Sequence, residues 1–208
     1  REEQPWESQA TVLLDTRRAG HRGEGPTASF EWAVTAAASI AVHLRHNGYR
    51  IRLVAGSGID IDSTEREGDG VILEALADVR LSAQDTIPEL VDRVRRRADG
   101  GLVIAVLGAL SVAEAESLLA LRASGTRCAA LLIDSGTWLA LSEAEQAQAA
   151  ANFEAAMLTL LRGGWRVVPV THGARLDAVW PMVASRSSPG FAVRAALAET
   201  VAPGQVGR

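Results

Sequence analysis

A chain of 208 residues with 48% hydrophobic composition can bury one substantial core, and its length favours one domain over two. Its formal net charge of −4 is carried without a basic block, so it offers a nucleic-acid backbone no electrostatic footprint. All 21 basic residues are arginine, and the lack of lysine excludes a Walker-type phosphate loop and Schiff-base catalysis together.

The chain opens at Arg1 in a polar, Trp-containing segment, Arg1 to Ser8, which reads as the middle of a longer sequence. No run reaches the ~18 apolar residues of a membrane span, and no basic-then-apolar signal peptide is present, so the chain as it stands reads as soluble. A short apolar strand, Ala10 to Leu14, stops at Asp15 and gives way to the loop Thr16 to His21. Gly23 to Pro26 is a turn, after which Thr27 is expected to cap a helix that runs to about His46. Phe30, Val34, Ala37, Ala38, Ala41 and Leu44 recur on that helix at three- and four-residue spacing. Asn47-Gly48 ends it.

Tyr49 to Ala55 alternates apolar residues with Arg50 and Arg52, the period of a half-exposed strand near a sheet edge. Gly56-Ser57-Gly58 turns the chain into a short partner strand, Ile59 to Asp62, and the two read as a hairpin. Asp60 and Asp62 share one face; they could grip a cation, but the simpler reading is an edge strand guarded by charge. Helices are expected over Gly70 to Val79 and Thr86 to Ala98. The run Arg93, Arg95, Arg96, Arg97 at the end of the second suits the negative end of the helix dipole better than a basic patch.

Leu102 to Leu107 and Thr126 to Ile133 are continuous apolar runs, the mark of strands covered on both faces. Cys128, the single cysteine, lies in the second run and reads as a small core residue. Ser111 with Glu114, and Ser142 with Glu145, are capping boxes that start helices reaching Ser124 and Leu161. Trp165 to Val170 is the last strand, followed by a helix near Ala174 to Ala184. Residues 1–184 therefore form one α/β domain, and 185–208 an extension with a short helix over Phe191 to Thr200 and a frayed end. Strands alternating with helices imply a three-layer, doubly wound, mostly parallel sheet, Rossmann-like, with one antiparallel edge strand.

Three loops at strand carboxyl ends should converge: Asp15 to His21, Gly108 to Ser111, and Asp134 to Thr137. Gly20, Gly23 and Gly25 come too late and too irregularly for a dinucleotide fingerprint. Ser135 follows a strand, but Asp134-Ser135-Gly136 lacks the leading glycine of a nucleophile elbow. His21 and His172 are the histidines that could face this edge, and no Cys-x-x-Cys or His-Glu-x-x-His spacing supports zinc. A small hydrolase-like enzyme using Asp15, Asp134 and His21 in a carboxyl-edge cleft stays open as an alternative to an interaction module. The abundance of Ala, Gly and Arg fits a GC-rich genome, and most arginines are expected in water.

Val12 to Asp15, Phe30 to Val34, Ala37 to Ala41 and Gly48 to Val54, taken in this order, resemble the C-terminal, von Willebrand factor A-like half of the bacterial "domain of unknown function 58" proteins over about Arg1 to Ala184. That resemblance implies a sheet ordered 3-2-1-4-5-6. It also implies two membrane helices upstream of this chain, a location of the domain on the cytoplasmic side of the bacterial cell membrane, and a MoxR-type AAA ATPase as partner. Metal-binding A domains hold Mg²⁺ at a metal-ion-dependent adhesion site, with Asp-x-Ser-x-Ser after the first strand, a later threonine and a second aspartate. Here only Asp15 matches. Arg17 and Ala19 stand at the serine positions, Gly108 at the second aspartate, and Thr86 is the candidate threonine. The resemblance thus implies a degenerate site without metal or other cofactor. The partner-binding residues expected are Asp15, Arg17, Arg18, His21 and Arg22, with Asp134 and Ser135 from the neighbouring loop. Arg17, Arg18, His21 and Arg22 would receive an acidic surface, a fixed guanidinium standing in for the cation. The competing reading is that Arg17 pairs with Asp15 and the remaining arginines are solvated.

Overall fold

The computed structural model describes residues 8–56, 58–63, 68–97, 101–122 and 125–184. Outside them lie the opening segment up to residue 7, Ser57 of the hairpin turn, Ala98, Gly100, Ser124, and the tail from Ser185 with its expected helix over Phe191 to Thr200.

Strand β1 (Ser8–Leu14) shows how the core is divided. Ala10, Val12 and Leu14 point to one side of the sheet and Leu13 to the other, and all four are fully buried. Strands β4 (Leu102–Leu107) and β5 (Arg127–Ile133) repeat the pattern: Ile104, Val106, Leu131 and Ile133 join one cluster, and Val103, Ala105, Ala130 and Leu132 the other. Their uninterrupted apolar runs are therefore two alternating faces, each covered by helices. Helices α1 (Ser29–His46), α2 (Gly70–Asp78) and α6 (Leu176–Ala184) cover the first face; α3 (Ile87–Arg95), α4 (Val112–Leu119) and α5 (Glu143–Arg162) cover the second.

With β2 (Tyr49–Ala55), β3 (Asp60–Ser63) and β6 (Arg166–Val170) the sheet has six strands in the order β3-β2-β1-β4-β5-β6. Only β3 runs antiparallel, paired with β2; the other neighbours are parallel. The architecture is the three-layer, doubly wound one expected, with the expected strand order. The order reverses between β1 and β4, which puts the end of β1 at the point where such sheets build their sites. Pro169 sits in β6, an outer strand with one ladder to serve, where a missing N–H is tolerated. Among the described residues no helix is long and apolar enough to cross a membrane.

Helix α1 lies close on the sheet because its buried stripe is small: Ala33, Ala36, Ala37 and Ala41 are at most 1% exposed, with Ile40 among them. Val34 and Ala38, expected among the apolar positions of the helix, are partly buried at the margin of the stripe. Thr27 does not cap this helix. Pro26 sets a single 3-10 turn over Gly25–Thr27, and the N-cap falls on Ala28, with no side-chain cap. Ser29 instead closes the preceding loop, its Oγ accepting from the Arg22 amide at 2.8 Å. Both expected capping boxes form, at Ser111 and Ser142.

Arg52 departs furthest from its expected half-exposed place, being 1% exposed. Strand β3 covers that side of β2, and the C-terminal turn of α3 ends over the Arg52 side chain. Its Nε and Nη2 fork onto Asp60 at 2.8 and 2.9 Å, and Nη1 and Nη2 donate to the carbonyls of Val94 and Arg93 at 3.1 and 2.8 Å. A guanidinium thus satisfies the carbonyls that a helix end leaves open, at the end where the dipole favours positive charge. Arginines take the carboxylates of the edge strand: Asp60 accepts from Arg52, and Asp62 from Arg97 at 3.0 Å. The Arg52 hydrogen bond, with the charges of Arg52, Arg97 and Arg93, holds the Asp60 carboxyl below its ordinary value despite partial burial. Arg52→Met keeps the stem but strands Asp60 and two helix-end carbonyls, and urea unfolding should show a loss of about 2–3 kcal/mol. A loss below about 0.5 kcal/mol would mean that water replaces the guanidinium at no cost.

Candidate functional site

The three expected loops do meet at the carboxyl edge, and Asp15 is their hub. Its amide donates to the Val106 carbonyl at 2.9 Å, extending the β1–β4 ladder by one bond, and the residue is fully buried. A carboxylate in such a place must be compensated. Oδ1 accepts from the Arg17 amide at 2.9 Å and from Arg17 Nε at 3.0 Å; Oδ2 accepts from Arg17 Nη2 at 2.7 Å and from the Gly108 amide at 3.1 Å. Arg17 itself is 4% exposed. Its Nη2 also donates to the Ala109 carbonyl at 2.9 Å, and its Nη1 pairs with Glu114 Oε1. Burial works against the Arg17 charge, but Asp15 and Glu114 outweigh it and hold its pKa above the ordinary arginine value.

Glu114 has two duties. Oε2 accepts from the amide and hydroxyl of Ser111 at 2.8 and 2.9 Å, closing the capping box of α4, while Oε1 takes Arg17. The box that starts α4 is therefore tied to the loop after β1. Close approach of two backbones makes this possible. A Cβ on Gly108 would lie 2.3 Å from the Gly20 carbonyl oxygen, and one on Gly20 would lie 2.9 Å from Asp15 Oδ2. The Ala109 amide donates to that same Gly20 carbonyl at 2.8 Å.

On the other side of β1, Thr16 is buried and donates its hydroxyl to Asp85 at 2.6 Å, while its backbone pairs with Ser82. Gly56, at the end of β2, leaves room for that bond, since a Cβ there would fall 1.8 Å from Thr16 Oγ1. Neither Thr16 nor Asp85 stands out in the sequence, because their partnership spans the chain. Thr86, the candidate metal threonine, caps α3, its Oγ1 accepting from the Glu89 amide.

His21 is 4% exposed, packed among Asp15, Ser29 and Phe30. Nε2–H donates to the Asp15 carbonyl at 2.9 Å, an acceptor that fixes this tautomer. Nδ1 lies 3.3 Å from Ser29 Oγ, and the ring meets Phe30 edge-on at 5.2 Å. Burial pushes the imidazole pKa down, more than the Asp15 charge raises it, so the ring is a neutral structural group. Arg18 and Arg22 are exposed, Arg22 folding back onto the Ala19 and His21 carbonyls at 2.8 and 2.7 Å.

Asp134 and Ser135 open a 3-10 turn, Ser135–Trp138, after β5. The Asp134 carbonyl accepts from Thr137 Oγ1 at 2.7 Å; its carboxyl is half-buried, and desolvation raises its pKa against the pull of the Gly136 amide. A cleft of about 640 Å³ runs between α4 and α5 above this turn. Arg17, Arg22, Glu114, Asp134 and Ser135 line it, and Asp15, Arg18 and His21 do not. The structure thus splits the expected set. Arg17 and His21, expected to meet a partner, are both buried, Arg17 bonded to Asp15 and Glu114 at the wall of the cleft and His21 bonded to the Asp15 carbonyl. Of the enzyme trio, only Asp134 reaches the cleft. Elsewhere, burial pushes the Cys128 thiol up to about 12, which leaves it inert.

The residues present do not fit a magnesium centre. Four donors already occupy the Asp15 carboxylate, Arg17 and Ala19 supply no hydroxyl, Gly108 supplies no carboxylate, and the Thr86 hydroxyl caps a helix. A hard divalent ion needs oxygen ligands and cannot share a carboxylate with a bidentate guanidinium.

Two measurements check this geometry. Arg17→Met leaves Asp15 and Glu114 without their cation, and unfolding in urea should show a loss of about 3 kcal/mol, partly restored by adding Asp15→Asn. A loss under about 1 kcal/mol would reduce the pair to a surface bridge. Asp134→Asn keeps an acceptor for the Gly136 amide and removes a charge that the fold disfavours. A raised native pKa means that the native state holds the proton more tightly than the unfolded chain, so the stability tied to this group is present at low pH and lost as pH rises through the raised value. The variant should melt higher than the parent at pH 7, with the difference vanishing at acid pH; a gain that persists unchanged at acid pH would contradict the assignment.

No protein family's profile matches the chain, and no curated protein matches it in sequence. Among solved structures, one match is proximal thread matrix protein 1 from the mussel byssus, 11% identical, with a TM-score of 0.48 over 84% of this chain. This chain spans 44% of that protein's length.

Proposed function

We propose that this chain is a non-catalytic protein-interaction module whose carboxyl edge receives a partner and whose central aspartate is a lapsed metal position. The carrying observation is the Arg17 guanidinium held between Asp15 and Glu114. It occupies the buried carboxylate of Asp15 at the switch point, which is thereby committed and serves as neither a free base nor a metal ligand. The resemblance to the von Willebrand factor A-like half of "domain of unknown function 58" proteins supplies the partner, a MoxR-type AAA ATPase, and a membrane tether outside this chain. The contact surface is the α4–α5 cleft and its rim. Val112 and Leu139, 43% and 42% exposed, offer apolar anchors beside it, and Arg18 and Arg22 offer positive charge to an acidic segment. Arg17 contributes by holding the loop in place and not by contact.

Binding of this protein to a MoxR-type AAA ATPase tests this reading. Arg18→Glu with Arg22→Glu should weaken binding about tenfold or more and flatten its salt dependence, whereas Arg50→Glu, exposed at the opposite end of the sheet, should leave it unchanged. Equal binding by the parent and a folded Arg18/Arg22 double variant would sink the rim assignment. An absence of any binding by the parent would sink the partner.

A further inference from the structure

A second cleft, of about 280 Å³, opens at the same edge but over the other face of the sheet, between the start of α1 and the loop after β6. The turn Ser135–Trp138 separates the two, since Ser135 and Gly136 line the first cleft and Trp138 the second. Trp32, Trp138, Glu31 and His172 are among the residues that line it. Both indoles have spent their polar edge on the protein: Trp32 Nε1 donates to the Ala174 carbonyl at 2.8 Å, and Trp138 Nε1 to the Thr27 carbonyl at 3.0 Å. The rings are thus fixed in orientation, and what they present to the cleft is aromatic surface. His172 braces Trp138, ring to ring at 5.4 Å and 75°, and is itself held where its amide donates to Thr137 Oγ1 at 2.8 Å.

Glu31, exposed in the first turn of α1, has no ion-pair partner among the described residues. Arg175, close in sequence to the cleft wall, forks onto Asp177 instead, at 3.1 and 2.6 Å. Two immobilised indoles and an uncommitted carboxylate favour the same kind of guest. Tryptophan attracts cations to its face more strongly than any other side chain, and the carboxylate adds charge and hydrogen-bond acceptors. A guanidinium suits both at once, because it is flat enough to stack and forked enough to meet a carboxylate with two bonds, which a lysine ammonium cannot do. The chain uses that fork internally, between Arg52 and Asp60.

We propose that this cleft binds an arginine side chain presented by a protein partner. The inference does not depend on which partner occupies the α4–α5 cleft. The direct test follows the indole N–H resonances of the ¹⁵N-labelled protein while N-acetyl-arginine amide is added, with N-acetyl-citrulline amide, its uncharged near-isostere, in a parallel titration. Saturable shifts at Trp32 and Trp138 are expected with the arginine compound, at least about tenfold weaker with citrulline, while the fully buried Trp165 stays still. Glu31→Gln, at an exposed position, should keep the spectrum of the folded protein and weaken arginine about fivefold or more. No saturable shift, equal response to citrulline, or an unaltered affinity in Glu31→Gln would each overturn the proposal.

Discussion

One guanidinium, that of Arg17, sets the conditions for the rest of the carboxyl edge. A doubly wound sheet that ends its central strand in an aspartate creates a buried negative charge at the point where its two halves diverge, and that charge requires a counter-charge at hydrogen-bond distance. Arg17 provides one from two residues away, and because its fork has donors left over it also reaches Glu114 and the Ala109 carbonyl. The loops after β1 and β4 and the first turn of α4 are therefore one bonded unit. Gly20 and Gly108 follow from it, since the unit closes only where two backbones touch without side chains between them. A lysine could not do this: a single ammonium has no second face with which to hold the far carboxylate.

The same device recurs across this lysine-free chain. Arg52 caps α3 from below while gripping Asp60; Arg93 donates to the Ala55 carbonyl at 2.5 Å; Arg166 donates to the Val183 carbonyl at 2.6 Å, near the end of α6. Each joins the end of one element to another. Most arginines would be left in water on composition alone, whereas several close gaps where a helix or strand runs out of backbone partners. The arginine bias that excludes lysine chemistries thus also shapes how the layers are joined.

Legibility in the sequence followed the range of the interactions. Alternating faces, buried strands and the capping boxes at Ser111 and Ser142 are local patterns, and they stand where the spacing puts them. The hub aspartate was also legible, from its place at the end of an apolar strand. Thr27 misled because a local rule met a stronger one: Pro26 fixes a 3-10 turn, and the helix begins two residues later. Arg52 misled because alternation reads as exposure, while the cover comes from β3 and from α3, about forty residues away. Arg17 was ambiguous for the same reason. Its pairing with Asp15 could be weighed from two adjacent residues, but its burial depends on Glu114, ninety-seven positions on, whose visible role was only to cap its own helix. His21 needed Ser29 and Phe30 to be placed before its inward turn could be read.

Because the central charge is neutralised internally, the edge is left with charges that the fold does not need. Arg18 and Arg22 stand exposed on the loop after β1, Glu31 on the first turn of α1, and the turn Ser135–Trp138 divides the α4–α5 cleft from the one that Trp32 and Trp138 line. A partner reaching across that turn would meet positive charge at one place and an indole-lined carboxylate at another, a pattern that fixes orientation as well as adding attraction. In an A domain that binds through a metal, the ion that orders the loop also touches the partner, so affinity and local stability change together. Here the ordering group, Arg17, is buried, and the exposed charges of Arg18, Arg22 and Glu31 lie outside it. Substitution at Arg18, Arg22 or Glu31 therefore changes the surface charge of this edge while leaving the bonds among Asp15, Arg17 and Glu114 in place.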